Sequence, residues 1–416
     1  MMQRRSFLTG ATSLTAALTV PIERVRAAAS DELTPVPPPP PISQAERLQR
    51  IARAQQRMQQ NGIGAIVVEA GSSLDYLTGV QWFRSERLTA TVIPAQGDPI
   101  IVTPFFESPS IRETLAIPAE VRTWNEDEDP LKLVAGFLRA RGVAGEPIGI
   151  EETDRYFIVD GLKHNLPGVT VVSANPVVRA LRMLKSPAEL ALMQAANDLT
   201  LKAMRHAGTR ARLGMTPADF GAAIDAATVA LGGSPEFSLV LIDEAAALPH
   251  GSKKPQAVKR GSIILFDCGC TLRGYQSDIS RTFVWGADPT PEQRKVWTQV
   301  HEGQQIAIRA AKIGVPAGAV DDAVRAAYTS WGYGPGYKLP GLSHRTGHGI
   351  GMDGHEPVNL VHGEMTPLAP GMCFSDEPGI YLPGKFGVRL EDCWHMTASG
   401  PKFFTQPPPS IDQPFA

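Results

Sequence analysis

Residues 261–286 read "GSIILFDCGCTLRGYQSDISRTFVWG". Large apolar residues run from Ile263 to Phe266, and the chain then sets an aspartate, Asp267, where a buried strand would continue. Eleven residues later Asp278 falls on what reads as the returning strand. The pattern predicts a β-hairpin that brings the two carboxylates across from one another. Like charges in that relation destabilise a sheet unless a cation or a proton lies between them. Cys268 and Cys270 alternate along the first strand and are expected on one face as buried free thiols; Cys373 and Cys393 sit in similarly apolar surroundings.

A second stretch repeats the arrangement. Residues 373–396, "CFSDEPGIYLPGKFGVRLEDCWHM", carry Glu377 and Glu391 in the corresponding places. Before it, residues 344–357, "HRTGHGIGMDGHEP", hold three of the chain's nine histidines. His348 stands between Gly347 and Gly349, which permit close backbone approach. Four carboxylates and one imidazole make a donor set for hard or borderline divalent ions, with Mn2+ favoured and Co2+ and Zn2+ compatible. Two such ions sharing bridging carboxylates would jointly polarise a water into hydroxide.

The 416 residues are enough for two domains, each with its own core. A net charge of −2 with interspersed signs excludes a basic nucleic-acid surface and an acidic tail. "SQAERLQRIARAQQRMQQNG" predicts a helix with Ser43 and Glu46 in capping-box register and Leu48, Ile51 and Met58 on one face. "IGAIVVEA" reads as a buried strand, "GSSLDYLTGV" as a loop, and "TATVIPAQGDPIIVTP" as two strands around a turn at Gly97-Asp98. With "EPIGIEE" and "VTVVSA" as further strands, the first part of the chain is an α/β domain. Ser186, Pro187 and Glu189 then announce a helix, as do Thr216 and Pro217, and "PEQRKVWTQVHEGQQIAIRAAKIG" predicts a third. Every cluster of candidate metal ligands lies in this second part.

The N-terminus reads "QRRSFLT" from Gln3, followed by a mild apolar run from Leu8 to Val20 and by Ala27-Ala28-Ala29. Paired arginines, a run too short to span a bilayer and an A-x-A site predict a twin-arginine signal cleaved after Ala29. The mature protein is then expected to be periplasmic or exported, with no stable membrane association after processing. "TPVPPPPP", residues 34–41, reads as a polyproline spacer.

With these stretches quoted, the chain from about Lys185 to Thr397 resembles the metal-dependent "pita-bread" peptidases, the family of methionine aminopeptidase, aminopeptidase P and prolidase. "LFDCGCTLRGYQSDISRTF", "HRTGHGIGMDGHEP", "DEPGIYLPGKFGVRLED" and, more weakly, "AALPHG" carry the likeness. The N-terminal part, with "SLDYLTG", is similar to the creatinase-type domain of the prolidase and aminopeptidase P branch. After the signal peptide (1–29) and the proline-rich linker (30–42), the resemblance implies a creatinase-type α/β domain (43–178) and a pita-bread catalytic domain (179–405), α/β (α+β) in class, with a C-terminal tail (406–416). Asp267, Asp278, His348, Glu377 and Glu391 match the family's metal-ligand positions. Glu377 would also serve as general base and acid, and His355 would stabilise the tetrahedral intermediate or shuttle protons. His250 and His344 would flank the substrate; the alternatives are a turn residue after Pro249 for His250 and a loop-carbonyl hydrogen bond for His344. Arg389 would either hold a substrate carboxylate or pair with the ligand carboxylates and orient them.

The implied activity is hydrolysis of Xaa-Pro bonds, in dipeptides or at the N-terminus of peptides, by a hydroxide held between two divalent metal ions. A dipeptidase, an aminopeptidase P acting on longer peptides, and an exported non-catalytic binding protein on the same scaffold stand as alternatives. Small peptides with proline second are the expected partners, and a homodimer is expected. One segment departs from the family. "PEFSLVLIDEAAALPHG" has Leu241 to Glu244 in place of the usual Ile-Val-x-x-Gly, and an aromatic pocket position falls on either Glu236 or Phe237.

Overall fold

The computed structural model describes residues 33–35 and 37–416; the paired arginines and the Ala29 cleavage position lie outside the described residues. In the N-terminal half, β1 (Ala65–Glu69), β2 (Ala90–Pro94), β3 (Ile100–Pro104), β4 (Glu120–Trp124), β5 (Ile148–Ile150) and β6 (Val171–Ser173) form one sheet in the order β4-β3-β2-β1-β5-β6. β1, β2 and β3 pair antiparallel, and the outer pairs are parallel. β1 is buried along its whole length because both faces are covered. Ile66 and Val68 face one core with Ile51, Ala54 and Met58 of the first described helix. Ala65 and Val67 face the other, with Leu131, Val134, Phe137, Ile158 and Leu162.

The first described helix, Gln44–Gln60, begins as expected at Ser43, whose hydroxyl accepts the Glu46 N–H at 3.2 Å. Its buried face differs from the expectation. Leu48 is 42% exposed, while Arg47 and Arg50 are buried beside Ile51, Ala54 and Met58. Buried guanidinium groups are tolerated only when paired, and these are. Arg47 meets Asp75 at 3.1 Å, and Arg50 reaches Glu46 at 2.8 Å, the Tyr275 hydroxyl at 3.3 Å and Glu189 at 3.4 Å. The stretch expected as a loop also differs, since Ser72–Thr78 is a short helix stopped by Gly79 at φ 85°. Seven residues are too few for a helical period to show in sequence.

In the C-terminal half, β7 (Ser234–Ile242), β8 (Ile263–Leu272), β9 (Tyr275–Gln276) and β10 (Ile279–Val284) make a sheet ordered β10-β8-β7, with β9 on β8. β11 (Gly347–Gly349), β12 (Glu356–Leu360) and β13 (Cys373–Asp376) precede a hairpin of β14 (Gly379–Leu382) and β15 (Phe386–Arg389), and β16 (Asp392–Thr397) and β17 (Gly400–Phe403) follow it. The five outside that hairpin are ordered β12-β11-β13-β16-β17. Ser280 and Glu391 exchange backbone hydrogen bonds of 3.2 and 3.1 Å, which splices the two sheets at one point.

Helices Pro187–Gly208 and Pro217–Ala230 pack on β8 from one side, around Phe220, Ile224, Ile264 and Phe266. Pro291–Ala310 and Gly318–Ser330 cover the second sheet and the β14–β15 hairpin, around Val300, Val324, Phe374 and Trp394. Three of the four start with a Ser or Thr cap, proline next and an acid or amide at the third position, with both arms of the capping box formed. The last residues are not a free tail. Ile411 and Phe415 are buried, and the Phe415 ring meets Phe283 edge-on at 5.4 Å. All four cysteines are free and buried, and no described helix is long and apolar enough to cross a membrane.

Candidate metal centre

The hairpin carrying Asp267 and Asp278 is set by a two-residue turn. Arg273 and Gly274 both have positive φ, 50° and 85°, which is the type I′ geometry that matches strand twist. That turn pairs Leu272 with Tyr275, and in the same register Asp267 faces Ser280. The expectation of directly opposed carboxylates is therefore corrected. Asp278 lies two residues before Ser280, on the diagonal to Asp267 and level with Gly269. Diagonal neighbours still share a face. In the other pair, the last partners of β13 and β16 are Asp376 and Asp392, and Glu377 and Glu391 follow one step beyond.

The structure brings all five expected ligands, with His250, His344, His355 and Arg389, to the wall of one cavity of about 770 Å3. Single donor atoms of Asp278, His348 and Glu391 lie within 4.8 Å of one another, and all three residues are buried. His348 Nε2 is 3.6 Å from Asp278 and 3.4 Å from Glu377. Its Nδ1 faces the Gly349 carbonyl at 3.0 Å and so must carry the proton, which leaves the Nε2 lone pair aimed at the carboxylates. Gly347 permits this close approach, since a Cβ there would stand 2.2 Å from the Ser375 carbonyl oxygen.

The five expected ligands turn acceptor atoms toward one another here. Asp278 Oδ1 and Glu391 Oε1 are buried and have no hydrogen-bond partner. Buried acceptors without donors are costly, and a cation satisfies several at once. Burial, then mutual repulsion with Asp267 and Glu377, pushes the Asp278 carboxyl well up; burial, then Asp278 and Glu377, does the same to Glu391. Burial drives His348 well below the ordinary imidazole value, with His355 adding to it. Carboxylates driven toward neutrality beside an imidazole driven toward its free base are the arrangement a divalent ion stabilises. By this test the residues fit a metal site.

Among the described residues, Arg389 is the guanidinium paired with these acids. It binds Asp267, donates to the Ser280 hydroxyl at 3.0 Å, to the Tyr381 hydroxyl at 3.1 Å and to the Pro249 carbonyl at 3.3 Å. His344 also has both ring nitrogens engaged, Nδ1 with the Arg345 carbonyl at 2.8 Å and Nε2 with the Tyr381 hydroxyl at 2.7 Å. Burial, with Arg389 adding to it, brings its pKa down to about 3, so it is neutral. His355 sets its ring edge against His348 with centroids 4.2 Å apart, and His250 is exposed at the cavity's rim.

Several residues at the site escaped the sequence reading. Ser280 lies between Asp267 and Glu391, and Tyr381 links His344 to Arg389. Arg345 lines the cavity, and its guanidinium makes no hydrogen bond or ion pair among the described residues. Ser280 was findable as the same-face neighbour of Asp278; nothing local marked Tyr381. Glu236 and Phe237 both line the cavity. A bulge between Pro235 and Phe237 in the pairing of β7 with β8 lets the two side chains line the same wall. The departing segment 241–244 lies elsewhere, around a separate cavity of about 390 Å3 that includes Ile242, Asp243 and Glu244.

Comparison with known proteins agrees with this geometry. The profile of metallopeptidase family M24 matches residues 191–398, and that of the creatinase/prolidase N-terminal domain matches residues 50–184. An Xaa-Pro dipeptidase of Lactobacillus helveticus is 33% identical over 367 residues, 85% of this chain and 95% of its own length. The crystal structure of dipeptidase PepE from Mycobacterium ulcerans superposes with a TM-score of 0.81 at 33% identity, covering 89% of this chain and 98% of that one. A prolidase from Thermococcus sibiricus superposes at 0.79 with 29% identity, over 86% and 97%. The pairing of a creatinase-type α/β domain with two clasped sheets around a carboxylate-rich cavity makes this chain a metallopeptidase of family M24, in the branch that carries the creatinase/prolidase N-terminal domain.

Proposed function

We propose that the protein hydrolyses Xaa-Pro bonds of short peptides, dipeptides foremost, and that Asp267, Asp278, His348, Glu377 and Glu391 hold two divalent metal ions, Mn2+ favoured. When bound, these ions supply Lewis acidity and a water of lowered pKa. Glu377, which reaches His348 at 3.4 Å, takes the proton of the attacking water and returns it to the departing proline nitrogen. His355, edge-on to His348 at the cavity wall, would stabilise the oxyanion that forms at the carbonyl oxygen. Arg389 and His344 act indirectly: the first neutralises Asp267 and the second steadies Tyr381. Arg345 is the cation left for a substrate carboxylate, which a dipeptide carries one residue from the scissile bond. His250 covers the peptide from the rim. Proline locks φ and removes an N–H, so a site shaped to the ring excludes ordinary peptides.

The observation that carries this reading is the convergence of Asp278, His348 and Glu391 in one buried cluster in which Asp278 Oδ1 and Glu391 Oε1 have no donor. The test is a panel of Xaa-Pro dipeptides, Xaa-Pro-Yaa tripeptides and Xaa-Ala controls, with Mn2+ and with chelator. Hydrolysis of Xaa-Pro dipeptides that chelator abolishes is expected. Equal turnover of tripeptides identifies an aminopeptidase P, and bound metal without turnover identifies a binding protein. Metal analysis of protein purified without added ions tests Mn2+ against Co2+ and Zn2+.

We also infer export by the twin-arginine route from Arg4, Arg5 and the Ala27–Ala29 site; recovery of full-length chain in the cytoplasmic fraction would overturn it. A homodimer is supported by exposed aromatic side chains of the N-terminal half, Phe83, Phe105 and Phe106. Sedimentation as a monomer at micromolar concentration refutes that.

A further inference from the structure

The loop that carries His355 runs from Gly351 to Glu356 and lies on the seam between the two domains. Glu356 closes it from inside: one carboxylate oxygen accepts the backbone N–H groups of Met352 at 2.9 Å and Asp353 at 3.1 Å. A Cβ at Gly351 would stand 2.8 Å from both Glu356 carboxylate oxygens, so the loop is wound tightly on that side chain. The charge is balanced from the junction between domains. Lys185 Nζ donates to Glu356 at 3.0 Å, and Arg182 binds Glu356 and, at 2.8 Å, Asp353. Arg182 also donates to the Ser73 hydroxyl at 2.8 Å, and Ser73 in turn donates to Glu151 at 2.8 Å. Ser72 donates to Asp353. Both serines and Glu151 belong to the N-terminal domain.

One guanidinium therefore joins the N-terminal domain to both ends of the acidic pair that shapes the loop. Arg182 and Glu356 are largely withdrawn from water, so these are charge-assisted bonds at fixed geometry rather than a screened surface pair. A planar fork holds two acceptors at a set spacing, which a flexible ammonium does not. Asp353 lines the catalytic cavity, and His355 is two residues further on. We propose that Arg182 is a positioning residue: through Asp353 and Glu356 it fixes where His355 stands over His348, so that the N-terminal domain sets the geometry of the catalytic site. This rests on the reading of His355 given above.

The experiment compares Arg182→Ala, Arg182→Lys, His355→Ala and the Arg182→Ala/His355→Ala double variant. With metal content equal to wild type, kcat for an Xaa-Pro dipeptide is expected to fall roughly 10- to 100-fold in Arg182→Ala while KM stays within about twofold. Arg182→Lys, which keeps the charge and loses the fork, is expected between wild type and Arg182→Ala. The double variant is expected within about twofold of His355→Ala alone, because a residue acting only through His355 adds nothing once that ring is gone. Multiplying effects in the double variant, or a lowered melting temperature with kcat intact, overturn the proposal. Hydrogen exchange separates it from the activity assignment. Amides of residues 351–356 are expected to exchange faster in Arg182→Ala whatever the substrate proves to be, and unchanged exchange there refutes the clamp.

Discussion

Ser280→Ala deletes a single oxygen that sorts the acceptors of the metal centre. Ser280 is fully buried, and its hydroxyl lies 2.8 Å from Glu391 Oε2 and 3.0 Å from Asp267 Oδ1 while it accepts from Arg389 Nε at 3.0 Å. By engaging Oε2 it leaves Glu391 Oε1, which has no partner, as the oxygen free for a cation. A hydrogen bond to a charged group contributes about 1.5–3 kcal/mol net. At about 1.4 kcal/mol per tenfold, its loss from an oriented ligand predicts a weakening of metal binding of roughly 10- to 150-fold. That range overlaps the ~10- to 100-fold cost typical of losing an outer hydrogen bond to a metal ligand. The variant also strands the Arg389 Nε–H, so the metal-free protein should lose stability by about 1–3 kcal/mol. The assay titrates metal-free protein with Mn2+ against a fluorescent chelator, with thermal unfolding measured in excess chelator. At saturating Mn2+ most of the kcat should return, because the five proposed ligands remain. Metal affinity within twofold of wild type in a variant that folds would refute the claim that Ser280 orients Glu391.

Arg345→Ala should raise KM for Xaa-Pro dipeptides roughly tenfold or more with little change in kcat, and the effect should vanish for Xaa-Pro amides, which lack the carboxylate. Arg50→Met removes the buried cation beside Glu189 at the seam between domains while the Tyr275–Glu189 hydrogen bond at 3.0 Å remains, and loss of one member of a buried charge pair costs about 3–5 kcal/mol. A depressed melting temperature with unchanged metal stoichiometry is the expected readout. Asp154 is buried beside Glu151 and Glu69, faced by Arg84, and burial and then those acids push its pKa up to about 8. An acid whose folded pKa is raised binds more protons folded than unfolded, so its contribution is fully present below the unfolded value and is lost as pH rises toward 8. Asp154→Asn should accordingly flatten the fall in melting temperature between pH 5 and pH 8 (roughly the window between the two values), and an unchanged slope would refute the assignment.

Which features were legible in sequence follows from how far each depends on its neighbours. The Ser-Pro-x-Glu, Thr-Pro-x-Asp and Thr-Pro-x-Gln starts at Ser186, Thr216 and Thr290 are complete within four residues, and the helices begin there. The hairpin was legible as a hairpin, yet its register was not, because register belongs to the turn: positive φ at both Arg273 and Gly274 shifts Asp278 to the diagonal. The metal-ligand candidates stood out since few side chains suit a divalent ion, so residue type alone narrows the choice. Groups that orient ligands carry no such mark, as a serine, a tyrosine or an arginine serves equally well wherever its donor happens to reach. Arg50 and Arg182 show why. On a helix an arginine reads as a solvated side chain, and what buries these two are partners far along the chain, Tyr275 and Asp353. Leu48 is exposed for the same reason, because the helix turns its arginines inward to meet acids that sequence periodicity cannot see. The seam between domains is thus built from long-range charge pairs and the centre from short sequence motifs. A substitution at the seam that changes catalysis therefore acts through what the seam holds, the 351–356 loop on one side and, through Tyr275, the hairpin of Asp267 and Asp278 on the other, since no seam residue is itself a candidate ligand.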